Sequence, residues 1–163
     1  MYSLILWGAG TLEANSVTKC ETSVEPKHLP IYRIEQYLLT LPQVEMPVDH
    51  QFAHGIYARS ITIPAGVMLT GAVHKDECFF IVRTGRILLT TDDEPIEAKA
   101  GFMVASKAGS KRLGYALEDT IVTTFHANPD ELRDPDDLWD HITVAPPDDL
   151  LDILAKAELE ATA

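Results

Sequence analysis

This 163-residue chain has two cysteines, 13 basic residues against 25 acidic ones, and no long apolar run. Each shortage excludes something. Cys20 and Cys78 stand far apart and form no CxxC pair, so reduced thiols in a cytosol are expected. The deficit of positive charge leaves a formal net charge of -12, which argues against unaided binding to a nucleic-acid backbone or an anionic membrane surface. A basic pocket on an acidic protein stays open. The apolar opening MYSLILWGAG is too short to span a bilayer and lacks the basic flank and cleavage site of a leader. Tyr2 to Trp7 is expected as a strand or packing arm whose apolar side serves an oligomer interface. P-loop, GxGxxG, HExxH and GxSxG motifs are all missing, and scattered residues make no Ser-His-Asp triad.

What is present fits one domain with appendages. Gly8 to Pro30 is expected as loop with at most one edge strand, and Ile34 to Leu41 as a short amphipathic helix that stops before Pro42. Pro42 to Pro47 follows as an extended connection. Short apolar or alternating segments then come at regular intervals: Ile56 to Ile63, Val67 to Leu69, Phe79 to Val82 and Arg86 to Thr91. Ile96 to Lys99, Phe102 to Ala105, Arg112 to Ala116 and Thr120 to His126 continue the series. Glycine, proline or aspartate turns separate them, and no helix-length segment intervenes. An all-β sandwich or barrel follows, not a doubly wound sheet. Beyond Pro129 the chain turns acidic and helical, with helix starts at Asn128-Pro129-Asp130 and Pro135-Asp136-Asp137. Leu150 to Leu159 carries one apolar face that docks on its own domain or on a sister subunit. The expected divisions are an N-terminal arm with a short helix at 1–47, a barrel at 48–128 and an acidic helical tail at 129–163.

Chemistry concentrates in GAVHKDECFFIVRTG, from Gly71 to Gly85. In a regular strand, residues 72, 74, 76 and 78 share one face and Glu77 points the other way. His74, Asp76 and Cys78 would then face the interior together, with His126 approaching from a facing sheet. Two imidazoles and a thiolate suit zinc, or iron where coordination positions stay open. The bland alternative is a hydrogen-bonded His74 and a Cys78 that acts as a small buried hydrophobe. An inward Arg112 would call for an anion such as a carboxylate, phosphate or nucleotide. The strand start at that turn favours instead an outward Arg112 beside Lys107 and Lys111. Tyr115, Glu118 and Asp119 add a polar group, whose acidic pair is within reach of Arg112 or Lys111. His50 and His54 have metal-like spacing only on a helix, which Gly55 and the extended flanks oppose.

From Gly71 onward the chain resembles the cupins, small jelly-roll barrels that often hold a metal between two motifs. In the first motif, six residues separate position 78 from Gly85 and His74 takes the second histidine position. Ala72 stands at the first histidine position and Cys78 at the glutamate. In the second, Gly101 and Gly109 fit, while Lys107, Arg112 and Ala116 replace the proline, histidine and asparagine. LPQVEMPVDHQFAHGIYARSITIPAG, HKDECFFIVRTGRILLTTDD and GSKRLGYALEDTIVTTFHANPDELRD further resemble small cupin-like proteins of tailed bacteriophages and prophages. The resemblance implies an all-β, cupin-type jelly-roll β-barrel, a homodimer, and the cytoplasm of a bacterial host. The leading expectation is a barrel that binds a small molecule or metal ion without turnover. A divalent transition metal (Zn, Fe, Mn or Ni) would sit on His74, Cys78 and His126, with Arg112, Tyr115 and Asp76 toward a ligand. One alternative is a metal-dependent oxygenase, isomerase or lyase using those three donors. The other is a structural or host-interaction protein with an occluded barrel.

Overall fold

Alternation in IYARSITI sends Tyr57, Arg59, Ile61 and Ile63 to one face of strand β2 (Ile56–Ile63), and all four are buried. The computed structural model describes residues 26–90 and 94–161. Five strands form one antiparallel sheet in the order β1 (Val48–Ala53), β2, β10 (Thr120–Ala127), β5 (Cys78–Thr84) and β8 (Met103–Ser106). Four form the other: β3 (Met68–Thr70), β9 (Leu113–Ala116), β6 (Arg86–Leu89) and β7 (Ile96–Lys99). Neighbours such as β2 and β10, or β3 and β9, are distant in sequence, which is the crossed connectivity of a jelly roll. Ile61, Ile63, Val82 and Val122 from the first sheet meet Leu69, Ile87, Leu89, Ala98 and Ala116 from the second in one buried core.

Among the described residues, three α-helices flank the barrel. In α1 (Leu29–Leu39), Pro30 lies in the first turn, while Tyr32, Glu35 and Leu38 form the buried stripe at helical spacing. The helix begins five residues before the expected Ile34, because a proline fits the first turn of a helix. Gln43 Nε2 donates to the carbonyls of Leu38 (3.0 Å) and Leu41 (2.7 Å), closing the C-terminal end before Pro42. Asp134 caps α2 (Pro135–Ile142) by accepting from the backbone N–H of Asp136 and Asp137. α3 (Leu150–Ala161) buries Leu150 and Leu154 against Tyr32 and Leu29, so its apolar face docks on its own chain. No described helix is long and apolar enough to cross a membrane.

Several expectations need correction. Asn128 starts no helix: its side chain accepts from Leu132 N–H (3.0 Å) and donates to Leu132 O (2.9 Å), tying a turn. Phe79 opens an apolar run but is 51% exposed, because alternation buries Cys78 and Val82 and turns Phe79 outward. β1 was not anticipated from VDHQFA, since this edge strand buries too little apolar surface to show a pattern. The Tyr2–Trp7 arm and Cys20 lie outside the described residues.

The tail beyond Pro129 is part of the barrel's mouth. Leu138 and Ile142 of α2 pack with Tyr57 of β2, and Phe52, Leu132 and Trp139 pack around them. Directly after α2, strand β11 (Thr143–Val144) pairs with β4 (Val73–His74), setting Thr143 opposite His74. Lys75 reinforces the join by donating its backbone N–H to Ile142 O (2.9 Å) and its Nζ to Asp140 O (2.7 Å).

Candidate ligand cavity

Strand register separates the barrel interior into two ends. Ile61 lies opposite Val122, and Val122 opposite Val82, which makes one end apolar. Toward the other end, Arg59 lies opposite Thr124 and Cys78 opposite Ser106. A cavity of about 100 Å³ spans both, lined by Arg59, Ala72, His74, Cys78, Ser106, Arg112 and Trp139 over Ile61, Ile63, Leu69, Ile87, Leu89 and Val122. Gly114 also lines it, where a Cβ would approach Ile87 Cδ1 to 3.0 Å.

Arg59 is the unexpected member. It is buried, and its guanidinium carbon lies 4.8 Å from the centroid of the Trp139 ring. Among the described residues no carboxylate pairs with it, and none lines the cavity. Burial pushes its pKa down, opposed by Tyr57. Arg112 faces inward as well, correcting the outward expectation: its Nη1 donates a short hydrogen bond to Ser106 Oγ, and its guanidinium lies 6.0 Å from the Phe80 ring centroid. Lys111, expected at the surface, is buried against Glu35. Glu118 instead pairs with Arg86, and Asp119 accepts from Ala65 N–H (2.9 Å).

His74, Cys78 and His126 do come together, with donor atoms within 4.8 Å of one another, but His126 arrives from β10, the neighbour of β5 in the same sheet, and not from a facing sheet as expected. The His74 and His126 ring centroids are 4.8 Å apart, and Trp139 stands edge-on to His74 at 6.4 Å. His126 Nε2 shares a 2.9 Å hydrogen bond with Thr124 Oγ1, whereas His74 Nδ1 is buried with no partner. Burial, helped by Arg59 and Arg112, lowers the His74 pKa to about 4. Burial, then His74 and Arg59, lowers that of His126 to about 3. Burial raises the Cys78 pKa against the opposing pull of Ser106 and Arg112. Both imidazoles are therefore neutral at pH 7, with lone pairs available to a metal.

Asp76 and Tyr115 do not reach this cavity. A bend at Lys75–Asp76 breaks the strand, leaving Asp76 exposed. On β9 the inward positions belong to Gly114 and Ala116, so Tyr115 lies on the outer face opposite Met68 and Leu88. His50 and His54 do not converge on a metal: His50 Nδ1 bonds Tyr57 Oη at 2.7 Å, while His54 pairs with Glu131 at 2.7 Å. Arg59 and Trp139 were missed. The inward parity of IYARSITI was sufficient to place Arg59, whereas only the packing of α2 on the mouth places Trp139.

The depressed imidazoles give a pH dependence of known sign. The unfolded chain takes up protons below about pH 6.5, and the folded chain only near the lowered values, so acid favours unfolding. Urea unfolding of the metal-free chain is expected to show His74 alone removing about 2 kcal/mol of stability between pH 6.5 and 5. His74→Ala and His126→Ala together should flatten that slope.

Ala72, His74, Cys78 and Arg112, which stand at the three histidine positions and the glutamate position of the two motifs, all line one cavity between two sheets of jelly-roll order. The fold is a cupin-type jelly roll. No known family's sequence profile matches the chain, and no curated protein is similar to it. Among solved structures, the barrel is similar to KdgF from Halomonas sp., with 17% identity and a TM-score of 0.46 over 57% of this chain and 86% of that one. A cupin superfamily protein from Desulfitobacterium hafniense gives 9% identity and a TM-score of 0.45, covering 56% of this chain and 84% of that one. A cupin-2 domain protein from Shewanella frigidimarina gives 14% and 0.42, covering 63% and 98%.

The donor set is compatible with a metal ion. Donors on a tetrahedral zinc lie roughly 3.5 Å apart, so the trio would need to contract by about 1 Å. The orphaned His74 Nδ1 and two neutral imidazoles favour the fit. Arg59 and Arg112 oppose a bare cation, and a deprotonated Cys78 or an anionic ligand alongside would offset them.

Proposed function

We propose that the barrel binds a small anionic molecule at Arg59 and releases it unchanged. One observation carries this reading: a buried guanidinium faces a cavity lined by no carboxylate. Taking such an ion out of water costs several kcal/mol, and a cation–π contact returns only about 2 kcal/mol. An anion entering the cavity supplies the missing partner. Binding without turnover is supported by the groups at hand, since His74 in the lining and His126 next to it are weak bases and the Cys78 thiol holds its proton.

A divalent transition metal would be held by His74, Cys78 and His126, and when bound would supply a Lewis-acid or redox centre beside the anion. The phage or prophage setting, the host cytoplasm and a homodimer belong to this proposal, supported by the sequence resemblance. Native mass spectrometry and elemental analysis of the desalted full chain test it together. The expected result is a mass shift with small anions, and bound zinc that His74→Ala reduces at least tenfold. A chain indifferent to carboxylates, phosphate and sulfate alike would sink the anion reading.

A further inference from the structure

Building on anion binding at Arg59, we infer that the ligand is a short aliphatic monocarboxylate. The cavity is two-ended. The guanidinium fork of Arg59 matches the two oxygens of a carboxylate. Beyond it, the register leads to Ile61, Val122, Leu69 and Ile87, which offer no hydrogen-bond donor or acceptor from their side chains. A phosphate on Arg59 would turn oxygens toward that floor, where polar groups lose their water without replacement. A carboxylate with an apolar tail satisfies both ends.

Size narrows the class. An apolar cavity of about 150 Å³ accommodates benzene. In proportion, a cavity of about 100 Å³ holds about four non-hydrogen atoms, which matches the carbon skeleton of butyrate or isobutyrate with the carboxylate oxygens on Arg59. Trp139 closes over Arg59 and shields the charge pair from water.

Calorimetric titration of the desalted full chain with formate, acetate, propionate, isobutyrate, octanoate and phosphate tests this. Affinity is expected to rise about fourfold for each methylene added up to isobutyrate, and to collapse at octanoate. Phosphate should bind at least tenfold more weakly than isobutyrate. Ile61→Ala, which lengthens the floor, should move the optimum one or two carbons up the series. Equal affinity from formate to isobutyrate, or tighter binding of phosphate, would overturn the carboxylate assignment while leaving the anion site standing. Absence of binding by every anion would overturn both.

Discussion

Glu35→Ala is expected to remove about 3–5 kcal/mol of unfolding free energy, the loss typical of a buried ion pair deprived of one partner. Glu35 Oε2 lies 2.5 Å from Lys111 Nζ, with the two side chains 10% and 3% exposed. Thr70 Oγ1 also donates to this carboxylate, at 2.7 Å. Once the carboxylate is gone, Lys111 keeps only the Gly71 carbonyl at 2.9 Å and the Tyr32 ring at 4.4 Å. Burial already pushes its pKa down. The pair joins α1 to the loops that carry Gly71 and Arg112, so its loss frees the helix from the barrel mouth. Replacing both partners, Glu35→Leu with Lys111→Met, should restore most of the stability. Urea unfolding of the three variants decides: a loss below about 1 kcal/mol in Glu35→Ala would mean that the pair is solvated.

Gly85→Ala is expected to cost about 4 kcal/mol, and to lower soluble yield with it. Gly85 turns β5 into β6 at φ +72°, and a Cβ there would lie 2.3 Å from the Asp119 carbonyl oxygen and 2.9 Å from Thr120 Cα. Those are backbone atoms that cannot swing aside. Gly66 provides the control, with φ +78° and nothing within 4 Å of its Cβ position. Gly66→Ala should therefore cost only the left-handed conformation, about 1–2 kcal/mol. Denaturant midpoints that fail to separate the two would contradict the tight packing at the β5–β6 turn.

The barrel was legible because its turns are punctuated and its strands are apolar. Ile56–Ile63, Ile96–Lys99 and Thr120–Ala127 appear where alternation and flanking turns place them, to within a residue. β1 was hidden because Asp49, His50 and Gln51 interrupt its apolar pattern and leave it an edge strand. The site was half legible. His74, Cys78 and His126 converge, but not by the expected route: the bend at Lys75–Asp76 ends the strand parity and removes Asp76, and His126 lies on β10 beside β5 in the same sheet. Arg112 was placed outward because it adjoins a turn, but residue 112 precedes β9 and its long side chain reaches inward to Ser106. The role of α2 depends on contacts between residues about eighty apart, Arg59 and Trp139, which no local pattern announces.

The most direct measurement is thermal unfolding of the native chain and of Arg59→Met, each with and without saturating isobutyrate and, separately, phosphate. If Arg59 is kept for an anion, the native chain should gain about 2.7 kcal/mol at a hundredfold excess over its dissociation constant. That corresponds to a rise of about 5–10 °C in Tm for a chain of this size with whichever anion binds. Arg59→Met should begin at or above the native Tm, since an apolar side chain replaces a buried, unpaired charge, and should respond to neither anion. An Arg59→Met chain that melts many degrees lower without anion, or that still gains stability when anion is added, would contradict an anion site at Arg59.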